Sequence, residues 1–228
     1  MRGTFLTFEG PEGGGKSTQA RLLAEVLRSE GYDVVETREP GGTSIGEQIR
    51  RILLDEGNYA MLAETEALLL TAARAQHVGE LIRPALTDGK VVICDRFVDS
   101  TLAYQGGGRG LPTRQLEAIQ DLAIGGLRPD VRLLLDLPVE VGLRRRMQSG
   151  SDVNRIDLAE VEFHERVRSR FLELAAMDPA GWAVIDATGE PRDVARQVVE
   201  AVASRSGLIG KRHSVLDRPT MKRVASDA

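Results

Sequence analysis

The 228-residue chain has one cysteine, Cys94, and three histidines. A lone cysteine cannot build an internal disulfide framework, so a reducing, cytoplasmic location is expected, with Cys94 as buried strand filler. The histidines, at 77, 164 and 213, are too scattered for any metal-ligand spacing. No apolar run approaches the roughly 18 residues of a membrane span, so no membrane partner is expected. The apolar stretch near the N-terminus is too short for a secretory signal and has no cleavage site. No internal repeat appears, and no Asn-Lys-x-Asp run follows a strand, which counts against a guanine-nucleotide switch. Positive charge is in deficit: 30 Lys and Arg against 34 Asp and Glu leave a net −4. Residues 207–228 carry five Lys or Arg against two Asp, so the body is more acidic still. An acidic body argues against nucleic acid as a partner. The hydrophobic share of 42% is that of an ordinary globular chain, and the length suits one large domain or two small ones.

What is present is organised around Gly10-Pro11-Glu12-Gly13-Gly14-Gly15-Lys16-Ser17, which meets the pattern G-x-x-x-x-G-K-[ST] at every fixed position. Residues 4–8 ahead of it read as a short buried strand. Residues 18–28 behind it read as a helix with Ala20, Leu23, Ala24 and Leu27 on one face. Strand, glycine loop and helix N-terminus together form an anion trap: backbone N–H groups turn inward and the helix dipole adds partial positive charge. Lys16 is expected to reach the outer phosphates of ATP or another triphosphate, and the Ser17 hydroxyl to hold Mg²⁺. The candidate triphosphate site runs from Gly10 through Ser17 to Thr18.

Along the rest of the chain, residues 33–38 read as a second strand, and Pro40, Gly41 and Gly42 then interrupt regular structure. Ser44 is the expected N-cap of the next helix, with Glu47 as its capping-box partner. That helix should turn Ile45, Ile49, Ile52 and Leu53 inward and carry Arg50 on another face. A long helix over 63–86 stacks Leu70 and Arg74, four apart, on one face. Val91-Val92-Ile93-Cys94-Asp95 is an apolar run closing in an acid, as in a buried parallel strand. An acid at that end lies at the sheet edge where such folds bind ligands, so Asp95 is the candidate carboxylate on the Mg²⁺ side, and Arg96 borders the same crevice. Residues 104–110 form a second glycine-rich stretch without a Lys-Ser pair, read as a flexible loop positioning Tyr104 and Gln105.

A helix over 113–123, a strand over 131–137 and a helix opened by Pro138 follow. The polar stretch 148–154 reads as a mobile flap with Arg155 at its far side, and a helix over 158–177 comes next. Arg166, Arg168 and Arg170 on that helix alternate with acids and read mainly as solvated surface. A strand over 182–186 and a helix over 191–203 complete the pattern, and beyond Gly207 the sequence reads as a basic, disordered tail. Five strands alternating with helices imply a three-layer α/β domain over about 1–206, with a five-stranded, mainly parallel sheet and a small lid at about 142–157.

These residues suit phosphoryl transfer, which needs in-line positioning and charge compensation more than covalent help. Lys16, Arg96 and a flap arginine offer the charge. Arg155 is the favoured flap arginine, with Arg144 and Arg146 behind it, because a planar guanidinium binds phosphate oxygens at two points. A closing flap also keeps water from the donor.

Several blocks resemble the bacterial thymidylate kinases, in that family's order and spacing over about residues 3–203. They are Phe8-Glu9-Gly10 through Thr18, Thr37-Arg38-Glu39-Pro40-Gly41-Gly42-Thr43, Ala72-Ala73-Arg74, Asp95-Arg96-Phe97, Leu102-Ala103-Tyr104-Gln105-Gly106 and Asn154-Arg155-Ile156-Asp157. The resemblance implies a P-loop kinase fold and transfer from ATP to dTMP, giving ADP and dTDP, with Mg²⁺, in a homodimeric cytoplasmic enzyme. It implies that Arg96 holds the dTMP phosphate, that Arg74 donates to thymine O4 and that Arg50 lies in the same pocket. Thr101 and Gln105 would contact base or sugar, and Tyr104 would crowd the place of a 2′-hydroxyl. Glu12 in the loop goes, in such relatives, with a catalytic arginine in the lid, here Arg155; those with an arginine in the loop have it at about position 13, here Gly13.

Guanidinium has only donors, so Arg74 would suit thymine O4 and oppose the cytosine amino group, a mismatch worth roughly 1–3 kcal/mol. The family usually stacks a Phe on thymine one turn before this arginine. Leu70 stands there, so weaker dTMP binding is expected unless another ring substitutes. Other nucleoside monophosphate kinases share the loop, the lid and the Asp-Arg pair and differ in the base pocket; they are the alternative, with a nucleotide-dependent switch behind them.

Overall fold

The computed structural model describes residues 2–148 and 154–209. Strand β1 (Phe5–Glu9) is buried along its whole length and leads through the glycine loop into α1 (Lys16–Ser29). Strand β2 (Val34–Arg38) and α2 (Ser44–Leu54) follow. Helix α3 (Ala63–His77), a wide π-type turn over Val78–Ile82 and α4 (Arg83–Thr87) then form one continuous helical run, as the pattern over 63–86 predicts. After β3 (Val91–Asp95), α5 (Val98–Thr101) passes directly into a π-helical stretch, Leu102–Gly108. The remainder is α6 (Thr113–Ile124), β4 (Val131–Asp136), α7 (Val139–Gln148), α8 (Val161–Met177), β5 (Trp182–Asp186) and α9 (Pro191–Ser206).

All five strands are parallel, in the order β2-β3-β1-β4-β5. Phe8 of β1 pairs with Asp95 on one side and Leu133 on the other, so the chain winds outward from β1 in both directions. The loops after β1, β3 and β4 diverge at that switch point and leave a crevice beyond the strands' C-terminal ends. The period of two along β1 sorts its side chains between layers. Leu6 and Phe8 pack with Leu23 and Leu27 of α1 and Val198 and Val202 of α9, whereas Phe5 packs with Val92, Cys94, Ile82 and Phe97. A third cluster sets Leu134 and Trp182 against Phe163, Val167 and Phe171 of α8. Among the described residues no helix is long and apolar enough to cross a membrane.

The structure corrects four local expectations. Thr43, not Ser44, caps α2: Thr43 is extended and its Oγ1 accepts from Gly46 N at 3.0 Å, while Ser44 is already helical. Glu47 instead accepts from Gly42 N and from Arg38, bracing the loop before the helix. Ile45 and Ile52 stand 49% and 47% exposed, because α2 lies outside the sheet and is covered mainly by α3, leaving Leu53 as the buried member of the four. The stretch 104–110 is no loose loop: Tyr104 and Gln105 are buried in the π-helical segment, whose Gly107 and Gly108 lie so close to α8 that a Cβ would strike Arg170 and Phe163. Finally, Ile209 is 4% exposed and joins the core cluster of α1 and α9, so packed chain runs past 206; the rest of the expected tail, 210–228, lies outside the described residues, as does 149–153 of the flap.

Candidate active site

The glycine loop is shaped by left-handed residues. Gly13 and Gly15 have φ of 70° and 78°, and Gly15 precedes the first residue of α1. Gly13 is also pressed against α7: a Cβ on it would lie 1.9 Å from Gly142 O, and one on Gly142 would lie 2.3 Å from Glu12 O. A side chain at position 13 would force the backbone at Gly142 to shift, so the loop as built has no room for an arginine there. Lys16 is buried and its Nζ donates to Pro11 O at 2.7 Å. Burial, then the Arg96 charge, pull its pKa down to about 8 against the carboxylates of Glu12, Asp95 and Glu9.

Ser17 Oγ donates to Asp95 Oδ2 at 2.5 Å, joining the loop to the end of β3. Asp95 Oδ1 is buried with no partner among the described residues. A hydroxyl and a carboxylate with an idle oxygen are the donor types a small hard dication takes, so the pair fits Mg²⁺.

Arg96 follows Asp95 with φ 72°, the one left-handed non-glycine among the described residues. Its Nη2 donates to Glu12 Oε1 at 2.8 Å and its Nη1 to Gly10 O at 3.0 Å, and the guanidinium lies 4.8 Å from the Tyr104 ring centre. Tyr104 Oη also donates to Glu12 Oε1, at 2.9 Å. Burial would raise the Glu12 carboxyl, but Arg96 and Lys16 with the Tyr104 hydroxyl outweigh it and hold the pKa at about 2. Burial would likewise weaken the charge on Arg96; Glu12 and the groups around it reverse that and raise its pKa. Beneath them Glu9 accepts from Phe97 N and Ser100 Oγ, and burial, then Asp99, push its pKa up to about 8.

Further along the crevice, Arg74 is 2% exposed and engaged through four of its five donor protons. Its Nε donates to Glu39 Oε2 at 2.6 Å, Nη1 to Thr101 Oγ1 and Gln120 Oε1, and Nη2 to Phe97 O at 2.9 Å. One Nη2 proton remains for a ligand. Glu39 Oε1 takes His77 Nδ1, whose ring meets Thr37 Oγ1 through Nε2. Arg50 donates to Pro40 O at 2.8 Å, and burial with the nearby Arg38 charge lowers its pKa. Leu70 is half-buried in the cavity wall. Tyr104 is the one aromatic residue among the described lining residues, and its ring already meets Arg96 and the edges of Phe163 and Phe171.

The lid end is also tied down. Arg155 Nη2 donates to Glu66 Oε2, and Nε and Nη2 to Leu53 O at 3.4 Å. Arg146 pairs with the buried Asp157 at 2.8 Å. Arg144 is exposed and absent from the cavity wall, and Arg145 holds Ala187 O and Thr188 O. The α8 arginines are more than solvated surface: Arg168 makes a two-point pair with Asp136, and Arg166 donates to Gly108 O.

A single cavity of about 900 Å³ brings almost all of these groups together. Glu12 to Thr18, Arg50, Leu70, Arg74, Asp95, Arg96, Thr101, Tyr104, Gln105, Arg146 and Arg155 all line it; Gly10 and Pro11 do not, and they shape the loop from behind. Sequence reading missed Glu39, Glu66 and Asp157, the acids that hold these arginines. Glu66 could have been found, since 66, 70 and 74 fall four apart on one stripe of α3.

Comparison with known proteins agrees with this geometry. A family model described as "Thymidylate kinase" matches residues 8–198. The chain is 55% identical over 194 residues to a thymidylate kinase of Thermomicrobium roseum, covering 85% of this chain and 91% of that one. It is 52% identical to a thymidylate kinase of Pseudomonas fluorescens, covering 89% and 95%. Among solved structures, the thymidylate kinase of Ehrlichia chaffeensis superposes with a TM-score of 0.71 at 36% identity, over 89% of this chain and 99% of that one. A glycine loop ending in Lys16 and Ser17, an Asp-Arg pair and several arginines lining one cavity accord with a family model that matches most of the length, and the chain belongs to the thymidylate kinase family.

Proposed function

We infer that the chain transfers the γ-phosphoryl group of ATP to dTMP, giving ADP and dTDP. The supporting observation is the continuity of the cavity. It runs from Lys16 and Ser17 to Arg74 and Gln105, with Arg96 between the two ends. A donor triphosphate on the loop and an acceptor monophosphate on Arg96 would then face each other in line.

Lys16 would exchange its contact with Pro11 O for the outer phosphates, and Arg96 would exchange Glu12 for the acceptor phosphate. Each exchange trades an existing partner for a more highly charged one, which keeps both side chains placed before substrate arrives. Ser17 and Asp95 would hold Mg²⁺, which supplies neutralisation of charge on the phosphate oxygens. Tyr104, fixed by Glu12, would leave no room for a 2′-hydroxyl. The free Nη2 proton of Arg74 would meet thymine O4, and Thr101, Gln105 and Arg50 would complete the acceptor pocket. Arg155 would supply charge to the transferring group from the lid, because Gly13 leaves no space for a side chain in the loop. Its Nη1 has no acceptor among the described residues and is the end that would do so.

A homodimer is the assembly we propose. Ile45 and Ile52 on α2, Leu68 on α3 and Leu122 on α6 are exposed apolar side chains, and α2 and α6 both pack on α3; a second copy of the chain would cover such groups. Sedimentation of the full chain reads the mass directly.

The decisive experiment is an acceptor panel of dTMP, dUMP, dCMP, AMP and GMP with ATP and Mg²⁺. Preference for dTMP is expected; a strong preference for AMP would overturn the reading.

A further inference from the structure

Glu66 is 2% exposed at the wall of the cavity, in the first turn of α3, and collects donors from two other elements. Gln105 Nε2 donates to its Oε1 at 2.7 Å. Arg109 donates to both oxygens, at 3.3 and 3.2 Å, and Arg155 of the lid donates to Oε2. The carboxylate is ionised: burial would raise its pKa, but the donations from Gln105 and Arg109 outweigh that and lower it. An ionised carboxylate only accepts. It therefore decides which end of the Gln105 amide faces it. The NH₂ end is committed, and the carbonyl Oε1, with no donor to it among the described residues, is the end left for a ligand.

We propose that Glu66 is a positioning residue that sets base choice by fixing the Gln105 amide, and ties the docked lid arginine to the same carboxylate. This rests on the dTMP reading above. With the amide held this way, the pocket offers a donor from Arg74 and an acceptor from Gln105, the complement of thymine O4 and N3–H. Cytosine presents the reverse, an amino donor and a bare N3 acceptor. The discrimination thus depends on a residue that need not touch the base.

Glu66→Gln tests this. Glutamine has one carbonyl oxygen for three donors. The two arginines claim it, its NH₂ turns to Gln105, and the Gln105 amide reverses to present its own NH₂ to the base. The ratio of kcat/KM for dTMP over dCMP should fall at least about tenfold, the scale of one mismatched buried polar contact, and Gln105→Ala should lower it comparably. Adding Glu66→Gln to Gln105→Ala should change the ratio no further. A ratio within about twofold of the parent in Glu66→Gln, with kcat/KM falling equally for both acceptors, would show a merely structural role and overturn the proposal. If Glu66→Gln does not fold, an unchanged ratio in Gln105→Ala overturns it equally. A parent enzyme that does not prefer dTMP refutes the functional reading instead; a parent that does, with unmoved variants, refutes this inference alone.

Discussion

Replacing Arg74 with methionine should cost the fold far more than a cavity-wall residue usually does. Methionine fills most of the volume of the side chain but strands Glu39, which is buried and would keep only His77. Removing one partner of a buried ion pair costs about 3–5 kcal/mol, because the remaining charge is left without compensation. Gln120, Thr101 and the Phe97 carbonyl also lose their donor, though Gln120 can still bond Thr71 at 2.7 Å. For a chain of this length each kcal/mol moves Tm by about 2–4 °C, so a fall of about 6–20 °C is expected. Circular dichroism melts at pH 7 without ligand measure it, since no bound nucleotide then props up the variant. The internal control is Arg74→Met with Glu39→Gln. Neutralising the stranded acid should recover a substantial part of the loss, the coupling expected of groups in contact and absent from distant, independent sites. A fall below about 2 °C, or a double variant no more stable than the single one, would refute the buried pair as the anchor of Arg74.

Other outcomes follow from the same geometry. With the Lys16 pKa drawn down to about 8, free enzyme loses this charge as pH rises past 8, and ATP binding must restore the proton; titration calorimetry should show ATP affinity falling by up to about tenfold per pH unit above that point, and Lys16→Ala should bind weakly with no such slope. Arg155→Ala should lower kcat by on the order of a thousandfold, as loss of an arginine finger does, while KM for dTMP moves little. Steady-state kinetics in which only KM rises would make Arg155 a binding residue. Gly13→Ala should weaken ATP binding at least about tenfold in equilibrium dialysis, since a left-handed alanine alone costs roughly 1–2 kcal/mol and the contact with Gly142 O adds to it.

What could be read from the sequence was what neighbours in the chain determine. The loop from Gly10 to Ser17, the acid ending β3 and the shared face of Leu70 and Arg74 are local patterns, and each stands where expected. The helix α2 misled because apolar periodicity says that a face exists, not what covers it; Ile45 and Ile52 carry the pattern and remain exposed. The stretch 104–110 misled because its glycines suggest mobility, whereas they serve close approach to α8. The acids that hold the cavity arginines were invisible for another reason. Glu12 and Arg96 are 84 positions apart, Glu39 and Arg74 are 35, and Glu66 and Arg155 are 89. No periodicity links such pairs; only the winding of the sheet brings them together. The φ of 72° at Arg96 is likewise set by tertiary structure, since nothing in its neighbours asks for it.

The backbone contact between Gly13 and Gly142 also limits how this enzyme could change over evolutionary time. The loop as it is built has no volume for an arginine of its own at position 13. Any side chain at 13 requires the root of α7, at Gly142, to withdraw first. What bars a side chain from this position is a single carbonyl oxygen.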